Sequence, residues 1–100
     1  MLKRGLPHTH PGEILKSELV EERGLTITEI AKAMGLSRVA VSNVLNEKAA
    51  VTPEFAVRFA TVFGGTADIW LRLQASYDLE QAEKKVKRLK LKPYQYKHSA

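Results

Sequence analysis

Apolar residues recur along this 100-residue chain at helical spacing, and short polar or glycine-containing breaks divide them into five stretches. The first opens at His10-Pro11-Gly12-Glu13. Pro11 suits the first helical position, where the N–H it lacks would have no intrahelical partner. Ile14, Leu15, Leu19 and Val20 then form an apolar stripe, and Gly24 marks the stop. Thr26-Ile27-Thr28-Glu29 announces the second stretch as a capping box, in which threonine and glutamate each satisfy a backbone donor left over at the helix start. Ile30, Ala31 and Met34 follow on one face, and Gly35 ends it. Ser37 is a good N-cap for a third helix over residues 38 to about 46, with Val41, Val44 and Leu45 facing inward. Thr52-Pro53-Glu54 opens a fourth, which runs through Phe55, Ala56, Phe59, Ala60 and Phe63 to Gly64-Gly65. The fifth starts after Thr66 and is expected to reach Leu91, with Ile69, Trp70, Leu73, Tyr77, Ala82, Val86 and Leu89 near one broad face and Pro93 as its stop. No alternating pattern is long enough to support a sheet and no segment repeats, so the expected fold is all-α.

The second and third stretches have the grammar of a helix-turn-helix, at about residues 27 to 46. That motif needs two steeply crossed helices joined by a short turn, so that the second projects into the major groove while the first braces it. Ala31 is small where the helices must cross, and Gly35 tolerates the positive φ the turn requires. Ile30, Met34, Leu36, Val41, Val44 and Leu45 supply the apolar lock. The outward positions are then Ser37, Arg38, Val39, Ser42, Asn43 and Asn46. An arginine one residue into the helix suits guanine O6 and N7, Asn43 suits adenine or a phosphate, and Val39 suits a thymine methyl. Ser37 and Thr26 sit at helix starts, where hydroxyls and free N–H groups suit phosphate oxygens, although capping alone also explains both.

Net charge is a weaker guide than its value of +5 implies. Residues 1–83 carry nine Lys and Arg against eleven Asp and Glu, whereas residues 84–100 carry seven positive charges and no acid. The organisation expected is one domain over residues 1–83 with a basic extension over 84–100. That extension admits three readings: a helical continuation lying along phosphates, a solvated end, or a segment that docks on an acidic partner. A last helix reaching Leu91 would span roughly 37 Å and overhang so small a domain. Its exposed Val86 and Leu89 would want a cover, which a second copy supplies in an isologous dimer. Such a dimer would set two recognition helices about 34 Å apart, the repeat of successive major grooves.

Other chemistries find little support. The chain has no cysteine, which excludes disulfides, thiolate metal sites and cysteine nucleophiles. No run approaches a membrane span and residues 1–10 lack the apolar stretch of a signal peptide, so a cytoplasmic location is expected. His8, His10 and His98 have no helical i, i+4 pairing, and capping at His10 or plain exposure explains them better than metal binding. Trp70 and Tyr77 fit core packing better than ligand stacking. The glutamates at 13, 18, 21 and 22 fit a solvated face, because no nucleophile, phosphate loop or oriented base accompanies them. No catalytic residue, metal or cofactor is expected.

Five runs together carry a resemblance: His10-Pro11-Gly12-Glu13-Ile14-Leu15, Ala31-Lys32-Ala33-Met34-Gly35-Leu36-Ser37-Arg38, Val44-Leu45-Asn46, Val51-Thr52-Pro53-Glu54 and Trp70-Leu71-Arg72-Leu73-Gln74-Ala75-Ser76-Tyr77-Asp78-Leu79. Over about residues 8 to 80 the chain resembles the HigA-type antitoxins, a branch of the lambda-repressor-like (Xre) helix-turn-helix proteins. The resemblance implies a compact five-helix domain that binds its own operator, an inverted repeat in double-stranded DNA, as a homodimer. It also implies neutralisation of a small HigB-type ribonuclease toxin, with Arg38, Val39, Ser42 and Asn43 facing bases. Relatives often carry glycine after the asparagine that ends the recognition helix; here Asn46-Glu47 stands there, which makes Asn46 the candidate for the left-handed position. Ile27 occupies a position often polar in relatives, which implies one DNA contact fewer. A free-standing regulator without a toxin, and a non-catalytic protein-binding adaptor, are the competing functions.

Overall fold

The computed structural model describes residues 9–97. His8 and His98 lie outside that range. Among the described residues there is no strand, and the helices follow the order that the hydrophobic pattern predicts. Helix α1 (Pro11–Leu15) starts on His10, whose Nδ1 accepts the Gly12 N–H at 2.9 Å. It continues as a π-helical stretch (Lys16–Glu22) and closes where Leu25 N–H donates to Leu19 O. Helix α2 (Ile27–Met34) carries the complete capping box: Thr26 Oγ1 accepts from Glu29 N–H at 3.0 Å, and Glu29 Oε1 accepts from Thr26 N–H at 2.9 Å. Gly35 takes the left-handed conformation (φ 70°) that ends it. Helices α3 (Arg38–Leu45) and α4 (Pro53–Phe63) start on Ser37 and Thr52, whose hydroxyls accept the Ala40 and Phe55 N–H groups. Helix α5 (Ala67–Lys87) follows the Gly64-Gly65 turn.

The core gathers Leu15 and Leu19 from the first helical run, Ile30, Ala31 and Met34 from α2, and Val41, Val44 and Leu45 from α3, joined by Val51, Phe55, Ala56 and Phe59. Two small residues permit the crossings. Ala31 is buried where α2 meets its neighbours, as expected. Gly12, unremarked by periodicity, lies so close to α3 that a Cβ there would drive into the Val44 carbonyl. His10 closes the same end by an edge-on contact with the Tyr77 ring, centroids 4.9 Å apart.

Three expectations are corrected. The left-handed residue after the recognition helix is Glu47 (φ 63°), not Asn46, which keeps φ −99°. Asn43 O collects the N–H groups of both Lys48 and Ala49, so the chain reverses one residue later than expected. Second, α5 ends at Lys87 instead of Leu91, through bonds from Leu89 N–H to Val86 O and Lys90 N–H to Lys87 O, with Lys90 at φ 54°. Residues 81–97 are all exposed, so no burial sustains the helix to Pro93. Third, the broad apolar face assigned to α5 is packed only in part: Trp70 and Tyr77 on it meet the bundle. Ile69, Ala82, Val86 and Leu89 are exposed, while Ala67, Trp70 and Leu71 pack on the core and Gln74 is buried. Packing therefore stops about halfway along α5, and the molecule is elongated, 60 Å by 25 Å by 24 Å.

Candidate nucleic-acid interface

The caps on Thr26 and Ser37 fix the first turns of α2 and α3, and those two turns meet at the surface. Ile27, the first residue of α2, joins Arg38, Val39, Ser42 and Asn43 of α3 around one open depression of about 380 Å³. Arg38 is exposed and makes no ion pair with any described residue, so its guanidinium is available to a ligand. Val39 is 67% exposed although aliphatic and β-branched. Ser42 and Asn43 are half-buried at the floor. One cation, one amide, one hydroxyl and two aliphatic groups thus share a surface, the mixture that reading base edges requires.

The remaining sequence-selected residues lie around this depression and do not line it. Thr26 and Ser37 use their hydroxyl oxygens as acceptors for the caps, leaving each O–H as a donor toward solvent. Asn46 is committed within the chain: its Nδ2 donates to Ser42 O at 3.0 Å and Ser42 Oγ at 3.1 Å, and its Oδ1 accepts from Lys16 Nζ at 3.2 Å. Its role is to tie the end of α3 to the first helical run.

Two positioning residues escaped the sequence reading. Arg58 on α4 reaches the turn of the helix-turn-helix, where Nη1 donates to Met34 O at 2.7 Å and Gly35 O at 3.2 Å. Its Nε and Nη2 both donate to Glu54 Oε2, at 3.0 and 2.8 Å. The guanidinium therefore satisfies carbonyls that α2 leaves open at its C-terminus and braces the turn from behind. The Glu54 to Arg58 spacing of four is visible in the sequence, but it reads as a surface ion pair. Gln74 holds the other flank. Its Oε1 accepts the Val51 N–H at 2.8 Å, and its Nε2 donates to Asp78 Oδ1 at 2.9 Å, which pins the loop after the recognition helix to α5. A glutamine among hydrophobic residues gives no periodic signal of such a role.

The Asp68 carboxyl is held below its ordinary value, first by the Thr66 hydroxyl hydrogen bond and further by the neighbouring Arg72 guanidinium, which together outweigh the opposing desolvation. Among the described residues no group of three or more His, Asp or Glu side chains is placed to hold a metal ion, and no helix is long and apolar enough to cross a membrane.

Residues 16–70 match the helix-turn-helix family model HTH_3, a span that includes the whole depression. Virulence-associated protein I of Dichelobacter nodosus is 38% identical over 81% of this chain and 75% of its own length. The Escherichia coli HTH-type transcriptional regulator YddM is 38% identical over 79% and 83%. Among solved structures, an addiction module antidote protein of a HigA family from Coxiella burnetii superposes with TM-score 0.76 at 34% identity, covering 89% of this chain and all of that one. A Pseudomonas aeruginosa protein in complex with its 28-base-pair operator DNA superposes with TM-score 0.74 at 28% identity, covering 87% and 99%.

Proposed function

The chain belongs to the helix-turn-helix family of Xre type, in its HigA-like branch, and from that premise we propose that it is an antitoxin that binds operator DNA as a homodimer and represses its own operon. The observation that carries this reading is the single depression gathering Arg38, Val39, Ser42 and Asn43 on the solvent face of α3. In this reading those four side chains meet bases, with Arg38 taking guanine O6 and N7, while the Thr26 and Ser37 hydroxyls face the sugar-phosphate backbone and Asn46, held within the chain, fixes the end of α3. The similar protein solved with its operator supports the DNA partner. The HigA-family likeness supports a toxin partner, a small HigB-type ribonuclease that the chain neutralises. The dimer rests on the outer half of α5, where Leu79, Ala82 and Val86 form an exposed apolar strip that a second copy would cover.

The test is a mobility-shift titration at fixed salt with wild-type and Arg38→Ala protein, on the duplex upstream of the gene and on random duplex. Loss of one bidentate base contact is expected to cost about 1–3 kcal/mol on the operator and much less on random DNA. Equal losses on both, or no binding to either, would count against the reading. A second reading, a regulator without a toxin, is favoured by the relative named as a transcriptional regulator. Co-expression with the product of an adjacent small reading frame, followed by pull-down, separates the two: capture supports the antitoxin, and no such frame or no capture supports the free-standing regulator.

A further inference from the structure

The interface contains a feature that repression in general does not require. Ile27 and Val39 come from different helices, yet both open onto the same depression, beside Arg38 and Asn43. A solvated valine alone would be unremarkable, since apolar atoms make up much of any protein surface. Here a second aliphatic group stands next to it, and both are held in place. Ile27 is half-buried and packs its inner side on the core, and the capping box fixes the turn that carries it. Val39 lies in the first turn of α3, which Ser37 fixes in the same way. Both side chains are β-branched and stiff about χ1, so little side-chain freedom is lost when a ligand covers them.

In the major groove only thymine offers a comparable apolar group, its 5-methyl; the other base edges there present hydrogen-bond donors and acceptors. We propose that Ile27 and Val39 form a receptor for the 5-methyl group of a thymine, so that each operator half-site holds a thymine next to the bases contacted by Arg38 or Asn43. The inference rests on the DNA-binding reading and sharpens it. The isoleucine that removes a polar contact at position 27 supplies an apolar one in its place. Covering one methyl group is worth about 0.8 kcal/mol, close to fourfold in affinity at about 1.4 kcal/mol per decade. In a dimer reading two half-sites the two effects multiply to about fifteenfold.

The experiment starts from a duplex selected out of a random library by the full-length chain. Each thymine is then replaced singly by uracil, which deletes only the methyl group, and affinities are measured by fluorescence anisotropy at one salt concentration. One thymine per half-site is expected to lose about fourfold on replacement, the others close to nothing. Val39→Ala, a change at an exposed position, is expected to abolish the uracil sensitivity at that thymine alone, and Ile27→Gln is expected to reduce it. Circular dichroism verifies that both variants are folded. Binding that is indifferent to uracil at every position, or a sensitivity that survives both substitutions, overturns the methyl receptor and leaves the DNA-binding function standing. Failure to enrich or bind any duplex overturns that function, and the receptor with it.

Discussion

Helices α2 to α4 start and stop where their caps dictate, whereas α5 runs on past the last of its residues that the other described elements cover. The two regions use the same residue types to different ends. In the bundle, apolar positions at helical spacing become core residues, among them Leu15, Ile30 and Val41, each 1% exposed or less. In the outer half of α5, Leu79 and Val86 continue a similar spacing and remain exposed, at 59% and 47%. Periodicity states that a helix has an apolar face. Whether that face is covered depends on whether another element reaches it, and among the described residues every position of α5 from Gln81 on is exposed. The positive charge is divided along the same line: the seven basic residues after Glu83 lie on the unpacked side. The body that carries the depression is thus close to neutral, so under the proposed function its selectivity for DNA would depend on shape and individual contacts more than on bulk charge.

The sharpest way to break this comparison is at Gly12. Gly12→Val forces a side chain into the Val44 carbonyl and is expected to destabilise the fold by about 3 kcal/mol or more in urea unfolding, the upper end for overpacking. A loss below about 0.5 kcal/mol, the usual range for surface changes, would mean that the α1–α3 contact is not tight. Gln74→Ala comes next, because it leaves the buried Val51 N–H without an acceptor. It should cost about 2 kcal/mol and raise hydrogen exchange at Val51 most of all. Arg58→Met keeps the aliphatic stem but frees the Met34 and Gly35 carbonyls, which are partly solvated. About 1 kcal/mol of stability is expected to go, together with a larger proportional loss of operator binding than of random-duplex binding, measured by mobility shift. At the other extreme, Val86→Ser on the overhang should change monomer stability by less than about 0.5 kcal/mol, and a large drop that depends on protein concentration would locate a dimer contact there. The smallest effect is expected at Asp68. Its folded pKa is lowered, so its contribution to stability is complete above the unfolded value and disappears as pH falls through the folded one. Asp68→Asn should therefore narrow the stability difference between pH 7 and pH 3 slightly, as read from thermal melts at the two pH values.

Much of the molecule was legible in the sequence because its signals are local. A threonine followed three residues later by glutamate, a serine before a helical run, a proline after threonine and a glycine at a turn each act on backbone groups within one helical turn. The start of every helix follows from such signals, and so does the identity of Arg38, Val39, Ser42 and Asn43 as outward positions of α3. The expectation for Asn46 was wrong by one residue because the competing bonds to Asn43 O involve residues further along, whose geometry depends on where the loop leads. Ile27 was read as a missing contact, since its neighbour across the groove, Val39, belongs to another helix. Arg58 was invisible as a brace for a similar reason: its acceptors, Met34 and Gly35, lie 24 and 23 positions away.

The sequence by itself determined the all-α class, the helix starts, the helix-turn-helix and the residues that α3 turns outward, because caps and periodicity are encoded within a few neighbouring positions. Only the tertiary structure decided which apolar stripe found a cover, which small residue had to be glycine, and which distant polar groups hold the motif in place. It also decided that Ile27 and Val39 open onto one depression. Those outcomes depend on how close separate helices approach, and that distance is set by the packing of the whole core.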